Sequence, residues 1–221
     1  NEQSAALIEQ SFEQLLEVLD AHFAVMPYLL GGRPSIADYG LIGPMFAHLG
    51  RDPVPLGIMQ SRAPRVHRWV ERMTAPGLDV VEYSDSRPEF WPNDALPPTL
   101  LPVLQHIAVD IFPELTDKLA FMDRWVAQAQ PADGEPVTEK PALRQIGMVS
   151  TCFRGTAIEV GVEPYLLFLL QRAADVVNAL PADEARVLIA QLEQLGLVAA
   201  VPLGRDYSVA RAGNIEVWLR S

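Results

Sequence analysis

Cys152 is the only cysteine among the 221 residues. That excludes an internal disulfide framework and a multi-cysteine metal site. Positive charge is also scarce. The 17 Lys and Arg residues face 28 Asp and Glu residues, giving a formal charge of −11. Nucleic-acid binders draw most of their affinity from cations that meet phosphates, and an anionic membrane surface makes the same demand. Neither partner is expected. Long apolar runs are missing as well: the most apolar stretch, Tyr165–Leu170, is far too short to span a bilayer. Asn1–Gln10 is polar and mildly acidic, with no basic region ahead of an apolar core, so it does not read as a signal peptide. No G-x-G-x-x-G, P-loop or H-E-x-x-H pattern occurs. What is present is ordinary for a folded protein. Hydrophobic residues make up 49% and charged residues 20%, enough apolar surface to offset the entropy of ordering. A reducing, cytoplasmic compartment is expected.

Periodicity predicts mostly helices. Leu7, Ile8, Phe12, Leu15, Leu16, Leu19 and Phe23 recur at three- and four-residue steps, and Pro27 and Gly31-Gly32 stop that helix. A second helix should start after Ser35, with Asp38 three residues on as the partner in a capping box. It should bend at Pro44 and close at Gly50. A third is expected from about Ser61 to Met73. Pro76–Pro98 reads as an ordered loop rich in acids (Asp79, Glu82, Asp85, Glu89, Asp94), with Tyr83, Phe90 and Trp91 among them. Thr99–Ala129 reads as a long helix that Pro113 should kink or split. After a polar linker the period changes. Ile146–Phe153 and Thr156–Val162 look like strands joined at Arg154-Gly155. Two helices and a terminal hairpin or irregular strands should follow.

Two blocks carry a family resemblance. Tyr28-Leu29-Leu30-Gly31-Gly32-Arg33-Pro34-Ser35-Ile36-Ala37-Asp38 resembles the central signature of the glutathione S-transferase C-terminal domain, where a glycine turn leads into a capped core helix. Pro64-Arg65-Val66-His67-Arg68-Trp69-Val70-Glu71-Arg72-Met73 resembles the next helix of that family. The resemblance implies a mainly α protein: a glutathione S-transferase C-terminal-like helical bundle with a small α+β extension. The expected divisions are a helical core at 1–75, a connecting loop at 76–98, a long helix packing on the bundle at 99–130 and an α+β extension at 131–221. The family's thioredoxin-like N-terminal domain, with its thiol-activating Tyr, Ser or Cys, has no counterpart here. Asn1 falls near the start of the family's second long helix, so the sequence reads as the C-terminal part of a longer protein.

The resemblance implies a role in glutathione-dependent transfer to a hydrophobic small molecule. Glutathione would be the co-substrate of the full-length protein, and none is expected to bind this chain. The helical region would supply the apolar side of the pocket and contacts of a homodimer. By resemblance Tyr39, Ile42 and Phe46 are the pocket candidates, with the core as their other possible destination. Ser35 and Asp38 read as a structural cap. No catalytic residue and no metal site is expected, because His22, His48, His67 and His106 lack ligand spacing. Cys152 reads as a buried, inert thiol. Tyr83, Phe90 and Trp91 could either cover an apolar pocket or pack on the helices. The alternative function is a non-catalytic protein-interaction or ligand-binding module of the same fold.

Overall fold

The computed structural model describes residues 2–75, 81–140 and 143–220. Asn1, Pro76 and Asp79, named in the sequence analysis, lie outside them. Helix α1 spans Glu2–His22. Its burial lies in the second half, where Leu16, Leu19 and Phe23 are buried while Ile8 is exposed. Helix α2, Ile36–Pro44, starts at Ser35, whose extended backbone suits an N-cap. Pro44 has no N–H to continue the α ladder. Beyond it the chain runs on as a wider π turn, Met45–Leu49, so the expected bend takes that form.

The segment expected as one helix from Ser61 is preceded by another. Helix α3 covers Pro53–Arg62 and α4 covers Pro64–Thr74. Pro53, Pro55 and Gly57 read as breakers, yet Asp52 caps α3 by accepting from the Val54 N–H at 3.1 Å. Pro53 occupies the first helical turn, where a missing N–H costs nothing. Ala63 separates the two helices. It precedes Pro64, which disfavours helical geometry there, and it sits at φ −135° and ψ 61°.

Around these helices Leu16, Leu19, Phe23, Met45, Met59, Val66 and Trp69 form a core. Phe23 and Trp69 stack with ring centroids 5.3 Å apart. Three short 3-10 turns, Val81–Tyr83, Pro92–Asp94 and Pro98–Leu100, punctuate the loop that follows. Helix α5, Leu101–Ala129, is continuous, so Pro113 does not split it. The chain divides into two compact units, Asn1–His106 and Ile107–Ser221, and the division falls within α5.

In the second unit, Leu115, Leu119, Met122 and Val126 recur at three- and four-residue steps on α5 and are buried. Strands β1, Gly147–Phe153, and β2, Thr156–Val162, pair antiparallel. Their turn residues Arg154 and Gly155 both have positive φ, 48° and 83°, the signature of the tight I′ hairpin turn. Arg154 is held there by Asp110, with its Nε at 2.6 Å and Nη2 at 3.1 Å from the carboxylate oxygens. Helices α6, Tyr165–Ala179, and α7, Ala182–Gln194, follow. Strands β3, Tyr207–Ala212, and β4, Ile215–Arg220, make the terminal hairpin. Trp218 on β4 is buried and stacks on Trp125.

Cys152 corrects an expectation: it is exposed, not buried. Strand periodicity puts one face inside, and on β1 that face carries Val149 and buried Thr151, which turns Cys152 outward. The architecture is mainly α, with two small antiparallel sheets in the second unit. Among the described residues no helix is long and apolar enough to cross a membrane.

Candidate functional site

The first unit is organised around one buried carboxylate. Asp38 lies in the first turn of α2 and is fully buried. Its Oδ2 accepts from the Ser35 N–H at 2.9 Å and the Ser35 hydroxyl at 2.7 Å. Its Oδ1 accepts from the Leu29 N–H and from the Trp69 indole N–H, both at 3.0 Å. One side chain thus ties the glycine turn, the start of α2 and the middle of α4 together. Four donors share its charge, which is how a carboxylate becomes tolerable away from water.

That anchor leaves α2 with an unusual outer face. Asp38 is the helix's only charged residue, and it points inward. The outward residues are apolar: Ile36 is 90% exposed and Tyr39 65%, with Phe46 on the π turn also exposed. Ile42 is partly buried. Gly40 and Gly43 have open space where a side chain would project. Of the three pocket candidates, Tyr39 and Phe46 therefore stand on the open surface and Ile42 beside it.

A second feature lies where the 82–92 loop crosses the glycine turn. Gly32 donates to the Glu89 carbonyl at 2.8 Å, and the Trp91 N–H donates to the Leu30 carbonyl at 2.8 Å. The approach is close enough that a Cβ on Gly32 would sit 1.7 Å from the Arg87 carbonyl oxygen. The glycine pair does not stop α1, which already ends at His22; it lets the loop lie directly on the backbone. Next to it is a cavity of about 530 Å³ lined by Met26, Tyr83, Arg87, Phe90 and Trp91 among others. The three loop aromatics thus line a cavity, while Tyr83 is also anchored by its hydroxyl to the Phe23 carbonyl.

Buried charge surrounds this loop. Arg72 is buried, donates to the Pro27 carbonyl at 2.9 Å, and lies over the rings of Tyr28 (5.7 Å) and Tyr83 (5.1 Å). Burial raises the pKa of both phenols above the ordinary value, against the opposing pull of Arg72. A neutral phenol face is what a guanidinium stacks on.

His22 is fully buried between Thr99 and the Tyr28 carbonyl, at 2.9 and 3.2 Å. The carbonyl requires the proton on Nε2, leaving Nδ1 to accept from the Thr99 hydroxyl. Burial lowers the His22 pKa below 6.5, outweighing the Tyr28 hydrogen bond and the Asp38 charge. Below pH 6.5 the unfolded chain binds a proton there that the folded chain resists. Stability is therefore expected to fall as pH drops from 6.5 towards the folded value, at most about 1.4 kcal/mol per pH unit for one proton. Urea melts between pH 7 and 5 should show a shallower loss for His22→Gln than for the wild type.

The remaining candidates are dispersed. His67 meets Gln60 at 3.3 Å, and no cluster of His, Cys, Asp or Glu able to hold a metal occurs among the described residues. Sequence reasoning missed the Trp69–Asp38 bond and the buried Arg72, although both residues sit in the second quoted block. Nothing in helical spacing says which residue of α4 reaches a carboxylate on α2.

In comparison with known proteins, the family model for the glutathione S-transferase C-terminal domain matches residues 2–72. That span contains α1, α2, α3 and most of α4 with the whole Asp38 network. No curated protein and no solved structure matches the chain.

Proposed function

We propose that this chain, whose residues 2–72 form a glutathione S-transferase-like C-terminal domain, works as the helical half of a glutathione-dependent transferase. One observation supports this most: the outer face of α2 is apolar and uncovered, with Ile36 90% exposed. A helix with no charge outside its buried cap is built to be covered. In this reading a thioredoxin-like domain covers the Ile36 end and binds glutathione. Tyr39, Ile42 and Phe46 form the apolar wall against which a hydrophobic electrophile rests. Ser35 and Asp38 act on the site only through α2, by fixing its start. The thiol chemistry belongs to the covering domain, and a homodimer and a cytoplasmic setting go with the same reading.

The test uses the chain as it is. It should bind a fluorescent apolar dye such as anilinonaphthalene sulfonate, and Ile36→Ser/Tyr39→Ser/Phe46→Ser should lose most of that signal while keeping its helical circular dichroism. Mixed with glutathione and an aryl halide, the chain alone should give no conjugate above the uncatalysed rate. Conjugation by the chain alone would refute the division of labour. Dye binding unaffected by the triple substitution would remove α2 as the pocket wall and favour a non-catalytic binding module.

A further inference from the structure

The cavity of about 530 Å³ beside the glycine turn is left unused by the reading of α2, and none of its lining residues belongs to that helix. Its volume falls in the range of small-molecule sites, about 300–1,000 Å³. Its walls are fixed by the fold. The backbone of Phe90 bridges to Gly31, the Trp91 N–H is bound to the Leu30 carbonyl, and Tyr83 is tied by its hydroxyl to the Phe23 carbonyl. A wall held in this way spares a ligand the entropy of ordering the loop.

The lining combines aromatic rings with acids that lack a countercharge. Tyr83, Phe90 and Trp91 share it with the Met26 thioether and with Glu82, Asp85 and Glu89. Glu82 is taken, because its carboxylate accepts from Arg68 at 3.0 Å. Asp85 and Glu89 have no ion pair among the described residues, and Arg87 is the one cation of the described lining. Rings of this loop already serve as cation acceptors. Arg33 lies 4.5 Å from the Phe90 centroid and Arg72 5.1 Å from that of Tyr83, and neither arginine lines the cavity. Trp91 is the strongest acceptor of the three by ring type. Among the described residues no cation lies over it.

We propose that this cavity binds a small organic cation, an alkylated ammonium that carries an apolar body. The ammonium sits against Trp91, Asp85 and Glu89 supply its countercharge, and the apolar body rests on Met26 and Phe90. An alkylated ammonium suits these walls better than a primary one. Its charge is spread over methyl groups, which an aromatic face can receive without offering a hydrogen-bond acceptor. A neutral ligand of the same shape gains nothing from the two carboxylates. An anion meets them as like charges, on a chain whose charge of −11 draws cations inward.

Calorimetric titration of the whole chain with para-hydroxyphenyltrimethylammonium tests this. Saturable binding at one site per chain is expected, weakened by added salt. Its neutral isostere para-tert-butylphenol should bind about tenfold more weakly, as should the ammonium to Trp91→Leu. Asp85→Asn/Glu89→Gln should lose about fivefold and flatten the salt dependence. Both acids are exposed, so this variant should keep its fold whether or not Trp91→Leu does. Absence of saturable binding overturns the proposal. So does equal affinity for the two isosteres, or binding that a folded Trp91→Leu or the double acid variant leaves unchanged. Dye binding on α2 plays no part in any of these outcomes.

Discussion

Asp38→Ala is expected to destabilise the first unit by about 3–5 kcal/mol, far beyond the loss of an ordinary cap. The cap alone contributes about 1 kcal/mol. The larger part comes from what the substitution strands. The Leu29 N–H and the Trp69 indole N–H both point at Asp38 Oδ1 from buried positions. A buried donor without a partner costs about 1–3 kcal/mol. Ser35→Ala removes one hydroxyl and should cost about 1 kcal/mol. Asp38→Asn is the discriminating control. Its amide has one acceptor oxygen, so it can serve Leu29 and Trp69 or Ser35, but not both pairs. It should fall between the two. Urea melts followed by tryptophan fluorescence would measure all three. A cost for Asp38→Ala no greater than that for Ser35→Ala would show that the carboxylate is only a cap.

The second large effect is expected at the turn of the first hairpin. Asp110→Ala should cost about 3–5 kcal/mol, because it leaves the Arg154 guanidinium nearly buried with its carboxylate gone. Arg154→Asn alone should also destabilise, since Asp110 then loses both hydrogen bonds from the guanidinium. The double variant is expected to recover to within about 1 kcal/mol of the wild type. It removes both charges and leaves Asn-Gly, the pair that best accepts two positive φ values. Thermal melts of the four proteins form a double-mutant cycle. Two single losses that simply add would show that the pair acts independently.

Much of this architecture is legible in the residues. The Ser35-to-Asp38 spacing, the stripe of α1 and the strand–Arg154-Gly155–strand pattern are local, and local geometry is what periodicity and turn chemistry encode. Helix α3 is not legible, because Pro53, Pro55 and Gly57 are breakers in isolation and only Asp52 and the first-turn position make Pro53 acceptable. The exposure of Ile36 and Tyr39 is not legible either. A stripe of apolar residues says that a face should be covered, and it does not say whether this chain supplies the cover. The exposure of Cys152 is hidden in the sequence for the same reason: a strand has an inner and an outer face, and its residues alone do not name which is which.

The His22–Thr99 bond has a kinetic consequence. It joins residues 77 apart in the chain, whereas the Leu29–Asp38 bond joins residues only 9 apart. Closing the longer loop costs about 2 kcal/mol more chain entropy. The Asp38 network can therefore assemble while the 22–99 loop is still open, and the histidine contact closes late. Weakening that contact should speed unfolding and leave the folding rate nearly unchanged.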